Sequence, residues 1–199
     1  MSNELERLDY RDFVIRVLPD EDPPNPRKEC DNLGTMVCLH KRYSLGDESK
    51  LTLEEANELE VRVEKEGGVV LKLYLYDHSG ITIATKPFSC PWDSGRIGFI
   101  YVEKDRIEGE YGWVRYPAIN REKAIEVLEG EVTAYDNYLT GGYCGIVVED
   151  EKGNEVHSCW GYDDKKYAIE EAKGHVDWEL KHREEQAVAA ENSVGANPS

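Results

Sequence analysis

One stretch near the middle of the chain constrains the fold more than any other. Residues 69–76 read VVLKLYLY, so aliphatic side chains return at every second position. A period of two is typical of a β-strand and places the aliphatic row on one face. Residues 77–80 follow, with aspartate first and glycine last as a tight turn favours, and residues 81–85 are again β-prone. The stretch therefore predicts a hairpin around which the rest of the chain is organised.

Further strands are predicted on both sides of this hairpin. A polar leader opens the chain, and an acidic, proline-rich stretch at 20–26 is expected to be an irregular loop. The β-prone segments are residues 12–18, 34–43, 97–102, 143–148 and 155–160. The last two are joined by a loop containing Gly153 and Asn154, which readily adopt turn conformations. They predict a second hairpin.

Three amphipathic helices are predicted from apolar residues at helical spacing. The first begins at a capping box, because Thr52 is followed three positions later by Glu55. Its predicted apolar stripe comprises Leu53, Ala56, Leu59 and Val63. The second helix is expected to begin near Asn120, and the third after Asp163 or Asp164, because these residue types favour the N-cap position.

The order of these elements predicts the fold class. Strands and helices are mixed without a regular β-α-β alternation, which favours an α+β fold with a mainly antiparallel sheet and about three amphipathic helices. Residues 1–182 have a length that suits a single domain. Residues 183–199 are mostly small or polar, with little to bury, and predict a disordered C-terminal tail.

The charge of the chain bears on its partners. Lysine and arginine number 24 against 41 aspartates and glutamates, for a formal net charge of −17. Such a charge disfavours direct contact with nucleic acid or an anionic membrane and favours a basic partner, although it also serves solubility alone. Apolar runs are too short to cross a membrane, and the charged start is unlike a signal peptide. A cytoplasmic protein is expected.

The cysteines predict neither a disulfide framework nor a zinc ribbon. They are five in number, widely spaced, and never arranged as C-x-x-C. Buried thiols are the simpler interpretation, and no cofactor is expected. A metal site formed by His78 and Cys90 with His157 or Cys159 would need ligands from distant segments, so no metal is predicted.

Four motifs carry a resemblance to a known family. They read DNLGTMVC at 31–38, LYLYDHSGI at 73–81, PFSCPWDSG at 87–95 and SCWG at 158–161. Together they resemble a family of small uncharacterised proteins carried by bacteriophages and other mobile elements, over most of residues 25–180. The resemblance implies a phage or prophage setting in the cytoplasm of a bacterial host. It favours action on a host system over metabolism and implies no particular activity.

The two central motifs contain a candidate catalytic group. Cys90 is the candidate nucleophile, His78 its base, and Asp77 or Asp93 the carboxylate that holds the imidazole in one tautomer. This set predicts a small cysteine-dependent hydrolase or transferase. In the alternative interpretation the residues are structural: Asp77 closes the turn, His78 lies at its tip, and Cys90 is a buried thiol.

The motifs also predict a binding surface, because aromatic side chains with a few polar groups are typical of protein and small-ligand sites. The candidate binding residues are Tyr76, Ser79, Phe88, Trp92, Ser94 and Trp160. Phe88 and Trp92 have an alternative role, which is to plug one end of the hydrophobic core.

Acidic residues crowd the predicted helices at 54–66 and 122–136 and the turn at 149–155. Such a surface can imitate the charge of DNA and occupy the basic groove of a host nuclease or repressor. The sequence therefore favours a binding or inhibitory module directed at a host protein, with a basic nucleic-acid-binding enzyme as the leading partner. Cysteine chemistry at Cys90 and His78 is the alternative.

Overall fold

The structure is a computed structural model that describes residues 4–111 and 117–194. Residues 112–116, part of an aromatic connector that the sequence pattern leaves unassigned, lie outside the described residues. The chain divides into two compact units. We call residues 24–140 the central unit, and residues up to 23 together with those from 141 onward the terminal unit.

Eight strands and five helices make up the described part of the chain. In order they are β1 (Glu6–Tyr10), β2 (Phe13–Pro19), α1 (Pro26–Glu29), β3 (Thr35–Cys38), α2 (Leu53–Lys65), β4 (Val69–Asp77), β5 (Ile81–Ala84), β6 (Ser94–Val102), α3 (Lys104–Tyr111), α4 (Pro117–Thr140), β7 (Cys144–Glu149), β8 (Glu155–Tyr162) and α5 (Lys165–Val194). All pairings between these strands are antiparallel. The predicted α+β class is confirmed, and α2, α4 and α5 correspond to the three predicted helices.

The terminal unit is built on a four-stranded sheet in the order β1-β2-β7-β8. Phe13, Ile15 and Val17 alternate along β2 and are buried, as a strand with one face on a core requires. They share a cluster with Ile146 and Val148 of the neighbouring β7. The hairpin of β7 and β8, predicted from the sequence, is confirmed.

Helix α5 covers one face of this sheet with small side chains. Ala168, Ala172 and Val176 recur every four residues and are fully buried against the β2 and β7 core. Asp164 is the predicted N-cap, since its carboxylate accepts hydrogen bonds from the backbone amides of Lys166 and of Tyr167 at 2.7 and 3.1 Å. The helix therefore begins where the sequence predicts.

The far end of α5 runs into the segment predicted to be a disordered tail. The helix continues to Val194, whereas the tail was predicted from residue 183. Residues 195–199 lie outside the described residues. The single-domain organisation and the disorder of the tail stay predictions.

The central unit has its own four-stranded sheet, in the order β3-β6-β4-β5. The central strands β4 and β6 pair over nearly their whole length, and β4 turns back into β5 as the sequence predicts. Alternation along β3 sends Met36 to one face and Val37 to the other. Met36 joins Leu128 of α4, while Val37 joins Ala56 of α2. This sheet is thus covered by a helix on each face.

A buried cation ties three segments of the central unit together. The side chain of Arg27, which is 2% exposed, contacts the carboxylates of Asp47 and Glu131 and the carbonyl oxygen of Gly34. Glu131 also accepts from the backbone amide of Leu33 at 2.6 Å. Every charge in the group is therefore met by an opposite charge or by a backbone dipole.

Several elements differ from the sequence-based predictions. The polar leader contains β1, and the proline-rich loop is followed by the single turn α1; neither was predicted. β1 is an edge strand held by its ladder to β2, so apolar periodicity gives little signal for it. Asn120 lies buried inside α4, which begins at Pro117, so its prediction as an N-cap is wrong. Leu53 is also wrong as a core residue, because it is exposed.

Candidate functional site

The two central motifs meet at an open cavity of the central unit, beyond the point where β3 ends. The cavity measures about 320 Å³, and its floor is formed by the buried residues Leu75 and Ile97. Its polar and aromatic lining comprises His40, Arg42, Asp77, Trp92, Asp93 and Arg96. We call this lined cavity and the two motif loops around it the motif site.

Pairing between β4 and β6 brings the two motif loops together. The backbone amide of Asp77 donates to the carbonyl oxygen of Asp93 at 2.8 Å, which joins the end of one strand to the start of the other. The turn after Asp77 is closed by the amide of His78 donating to the carbonyl oxygen of Gly80 at 3.0 Å. Ser79 adopts a positive φ of 61° in this turn, although glycine is usual there. Ser79 therefore shapes the turn that carries His78.

Asp93 is the carboxylate that connects the candidate catalytic residues. Its Oδ2 atom lies 3.3 Å from Nδ1 of His78 and 3.9 Å from the sulfur of Cys90. Both side chains thus contact one carboxylate oxygen. The structure supplies a thiol and an imidazole linked through Asp93, with the carboxylate between the candidate nucleophile and the candidate base.

Asp77 has different partners. Its carboxylate pairs with the guanidinium of Arg42 and lies 3.4 Å from the hydroxyl of Tyr43. The ring of Tyr43 in turn stacks on that of His40, with centroids 5.0 Å apart. Of the two aspartates predicted as possible orienting groups for His78, Asp93 is the one with a contact to the imidazole in this structure.

The candidate binding residues fall into two kinds. Tyr76 is partly buried and packs against both His78 and Phe88, with ring centroids 6.0 and 5.7 Å apart, so it supports the loops from below. Trp92 is 90% exposed. The alternative in which Trp92 plugs the core is therefore wrong. Phe88 is half-buried on the loop.

The remaining candidates lie in different places. The hydroxyl of Ser94 donates to the carbonyl oxygen of Cys90 and so fastens the loop between them. Trp160 belongs to β8 of the terminal unit, where its ring covers Gly145. The other candidates belong to the central unit.

Some of the acidic residues that were predicted to form a surface face the interior of the central unit. In the segment 122–136, Glu131 binds the buried Arg27, and Asp136 accepts from the hydroxyl of Thr82 and the backbone amide of Ile83 at 2.6 and 2.7 Å. These two carboxylates face inward and hold the central unit together. Their place in an exposed acidic face is therefore wrong.

Helix α2 fits the acidic-surface prediction better. Its capping box is confirmed, since the hydroxyl of Thr52 accepts from the amide of Glu55 and the carboxylate of Glu55 accepts from the amide of Thr52. Glu54, Glu58 and Glu64 are exposed, and none forms an ion pair with another described residue. The solvent face of this helix therefore carries uncompensated negative charge.

Some features of the structure have no counterpart in the sequence-based prediction. Arg96 pairs with Glu60 of α2 at 2.5 Å and lines the motif site. In the terminal unit, His157 of β8 stacks on His175 of α5 with centroids 3.8 Å apart, and the rings of Trp178 and His182 continue the column. Histidines at 175 and 182 are two helical turns apart, but only the hairpin register places His157 beside them.

The prediction of buried thiols is confirmed for Cys38 and Cys144 and is wrong for Cys30, Cys90 and Cys159, which are exposed or partly exposed. Burial raises the pKa of Cys38 to about 12, and burial also raises the pKa of Cys144, so both thiols are held in their neutral form. Across residues 4–111 and 117–194, no group of three or more histidine, cysteine, aspartate or glutamate side chains is arranged to hold a metal ion. All five cysteines are free.

Among the described helices, none combines the length and the apolar character that crossing a membrane requires. No protein-family model, curated protein or solved structure matches the chain.

Proposed function

We propose that this chain is a binding module that engages a host protein through the motif site. The observation that carries the proposal is Trp92, an indole left 90% exposed beside an open cavity. Tryptophan is among the residues that contribute most to protein interfaces, because burying its ring removes a large apolar area from water. A partner that covers Trp92 would gain this contribution.

The loop that carries Trp92 is well positioned to bind without large rearrangement. Contacts on either side of it fasten Cys90 to Ser94 and Asp93 to His78. The loop is thereby joined to the end of β4. Preorganisation of this kind reduces the conformational entropy that binding must overcome.

The charge of the protein supports a basic partner. The formal net charge is −17. Part of it lies on α2, where Glu54, Glu58 and Glu64 are exposed and Glu60 is paired with Arg96 of the motif site. A field of this sign accelerates association with basic proteins and repels nucleic acid. A nucleic-acid-binding host enzyme, inhibited by occupation of its basic groove, is the partner class we propose.

The setting rests on the motifs alone. Residues 73–81 and 87–95 resemble those of proteins from bacteriophages and other mobile elements, and the same residues form the motif site. A binding surface built from the motif residues agrees with a role in interference with the host. We therefore propose that the module acts in the cytoplasm of a bacterial host.

Affinity capture tests this function. The tagged chain is incubated with lysate of a bacterial host and washed at low and at high salt, and the retained proteins are identified by mass spectrometry. We expect a nucleic-acid-binding protein that is retained at low salt and released at high salt, because exposed charges are screened. Trp92→Ala should remove it, since the variant deletes the apolar anchor without altering charge.

A pair of charge variants separates a local surface from bulk charge. Glu58→Lys with Glu64→Lys reverses two exposed charges on α2, whereas Glu21→Lys with Glu184→Lys reverses two exposed charges of the terminal unit. The first pair should weaken capture more than the second. Equal weakening by both pairs, or capture that survives Trp92→Ala, contradicts the proposal.

The contacts of Asp93 favour a second candidate function. A thiol and an imidazole that each lie within 3.9 Å of one carboxylate oxygen are groups that cysteine hydrolases and transferases use. In this candidate Cys90 is the nucleophile and His78 is the base that accepts its proton, while Asp93 holds the imidazole in one tautomer. The interposed carboxylate is less favourable than direct contact between sulfur and imidazole, so binding is preferred.

Alkylation of the thiols by iodoacetamide tests the second candidate. Cys30 is an exposed thiol that serves as the internal reference. An activated Cys90 should react faster than Cys30 and should slow down in His78→Ala and Asp93→Asn. If Asp93→Asn instead accelerates the reaction, the carboxylate only opposes the thiolate, and this function is excluded.

A further inference from the structure

The first half of β6 has a free edge in the motif site. β3 pairs with β6 only from Gly98 to Tyr101, and beyond that a single bond joins the amide of Leu39 to the carbonyl oxygen of Ile97 at 2.7 Å. β6 itself begins earlier, at Ser94, and is paired on its other side with β4 down to that residue. Within the described chain, no strand pairs with residues 94–96 on the β3 side.

The backbone groups of this edge point into the cavity. The carbonyl oxygen of Asp93 accepts from the amide of Asp77, so the polar groups of Asp93 face β4. These groups alternate in direction along a strand, so Gly95 also faces β4, while Ser94 and Arg96 face away from it. Residues 94–96 are exposed or partly exposed, so a further strand can reach these groups.

A bulge explains why β3 does not cover this edge. Leu73 pairs with Gly98 and Tyr74 with Arg96, which leaves Ile97 as an extra residue in β6. Bulges bend a strand and interrupt pairing with its neighbours. β3 ends at this point, and the chain continues into the loop that lines the opposite wall of the cavity.

Two of the cations that line the cavity have carboxylate partners. Arg42 is paired with Asp77, and Arg96 with Glu60. Asp93 is left over. Its two contacts are to an imidazole and a thiol, neither of which carries a permanent charge. Asp93 therefore has no arginine or lysine partner among the described residues.

Trp92 lies next to this charge in the sequence and lines the same cavity. The face of an indole ring attracts cations, and a neighbouring carboxylate strengthens that attraction. Trp92 and Asp93 together are suited to an arginine or lysine side chain.

We propose that this free edge receives an extended, basic segment of the partner protein. The segment pairs with residues 94–96 as an added β-strand in line with β3 and places an arginine or lysine side chain against Trp92 and Asp93. The inference rests on the proposed binding function and states how the partner is held. In this mode of recognition, main-chain hydrogen bonds provide affinity and alternate side chains provide specificity.

The first test uses synthetic peptides. The probe is a capped hexapeptide of alternating arginine and valine, and the matched control alternates glutamate and valine. We expect the arginine peptide alone to bind and to slow hydrogen exchange at the amides of Ser94 and Arg96. Two further versions carry N-methyl groups on odd or on even residues. Methylation in the frame that faces β6 should weaken binding about tenfold, because a lost main-chain bond costs roughly that factor.

The second test removes the donor on the protein side. Ser94→Pro deletes the outward amide of Ser94, and proline is tolerated where the amide of an edge strand faces solvent. The variant also loses the serine hydroxyl, so Ser94→Ala is the matched control. Peptide binding should fall about tenfold in Ser94→Pro relative to Ser94→Ala. If Ser94→Pro does not fold, the N-methyl peptides still decide the question.

Several outcomes overturn the inference. These are equal binding of both N-methyl frames, preference for the glutamate peptide, or exchange protection away from residues 94–96. A dimer in sedimentation that Ser94→Pro abolishes also overturns it, because the edge then pairs with a second copy. A host partner lost on Trp92→Ala but retained by Ser94→Pro leaves the binding function intact and removes strand addition. A host partner that is indifferent to Trp92→Ala removes the binding function itself.

Discussion

In both units a long helix packs on a four-stranded sheet, but the side chains that form the contact differ. Each has a four-stranded antiparallel sheet covered by a long helix, α4 in the central unit and α5 in the terminal unit. The central unit also buries the cation of Arg27, which is paired with two carboxylates. Among the described residues, Arg27 and Asn120 are the buried polar side chains, and both belong to the central unit. In the terminal unit α5 instead packs on an apolar sheet through Ala168, Ala172 and Val176.

The two kinds of contact should respond differently to substitution. An ion network fixes the relative positions of α1, β3 and α4, since removal of one member leaves charges at a partly buried site without a partner. A contact through alanines is satisfied by apolar shape alone and is sensitive to added volume. The motif site lies on the unit in which ionic contacts add to apolar packing. Its loops therefore have a firm support.

Loss of the buried cation should have one of the largest effects on stability. Arg27→Ala leaves Asp47 and Glu131 without their counter-ion. We expect a loss of about 3 kcal/mol in the free energy of unfolding, the lower end for a broken buried pair, because both carboxylates partly reach solvent. Urea denaturation measures the loss, and hydrogen exchange locates it in the central unit. Arg62→Ala is the control, because its pairs with Glu66 and Glu103 are exposed and worth about 0.5 kcal/mol. Similar losses in both variants would contradict the ion network.

Substituting one glycine in each sheet by alanine tests how much added volume each sheet accommodates. A methyl group at Gly98 would lie 1.9 Å from the carbonyl oxygen of Val37 in the paired strand β3. A methyl group at Gly145 would lie 2.2 Å from the ring of Trp160, a side chain that is 49% exposed and has room to move. Gly98→Ala should therefore cost about 3 kcal/mol and Gly145→Ala about 1 kcal/mol, both measured by urea denaturation.

A double variant checks the cause at Gly145. In Trp160→Ala the ring is absent, so adding Gly145→Ala should cost almost nothing further. A cost that persists in the double variant would mean that Gly145 is required for its backbone and not for the approach of the indole.

The histidine column should make the terminal unit sensitive to acid. Burial, and secondly the charge of His157, lower the pKa of His175 below its ordinary value of 6.5. The unfolded chain then binds a proton more readily than the folded one. This contribution to stability is complete above pH 6.5 and is lost as the pH falls through the depressed pKa of the folded state.

Thermal unfolding between pH 8 and pH 5 measures this dependence. We expect a decrease in Tm on acidification that is smaller in His175→Gln, with an effect below that of Gly145→Ala. Asp177→Asn is not a suitable control, because Asp177 binds Tyr10 and Arg11. His40→Gln is better, since His40 belongs to the central unit and should leave the decrease unchanged. An identical decrease in His175→Gln would exclude the column as its cause.

The smallest effect on stability should come from the residue that matters most for binding. Trp92→Ala removes a side chain that is 90% exposed, so the free energy of unfolding should change by less than about 0.5 kcal/mol. Urea denaturation and host-protein capture are run on the same preparation. A large loss of stability would show that Trp92 supports the fold and would weaken the binding interpretation.

Local signals in the sequence predict much of the fold. The alternation in β4, the capping box at Thr52 and the N-cap at Asp164 depend on residues close in sequence, and each is confirmed. β1 escapes prediction because it is a polar edge strand with weak apolar periodicity, and α1 because a single turn is too short to show a helical period. The bulge at Ile97 also has no local signal, since it exists only as an offset between two paired strands.

The candidate site likewise has features that the sequence predicts and features that depend on tertiary contacts. The motifs supply the chemistry of His78, Cys90 and Asp93 and the order in which they occur. The sequence alone determined these residue types, the α+β class and the net charge of −17. Only the tertiary structure decided that Asp93 contacts both His78 and Cys90, because pairing of β4 with β6 brings residue 77 opposite residue 93.

The surroundings of the acidic residues were also decided by the tertiary structure. Glu131 and Glu129 occupy neighbouring positions of one helix and are chemically identical, yet Glu131 binds a buried arginine and Glu129 faces solvent. A polar position in an amphipathic pattern does not reveal whether a cation from a distant segment will meet it. That choice depends on which segments pack together, and this is fixed by the burial of apolar surface throughout the unit.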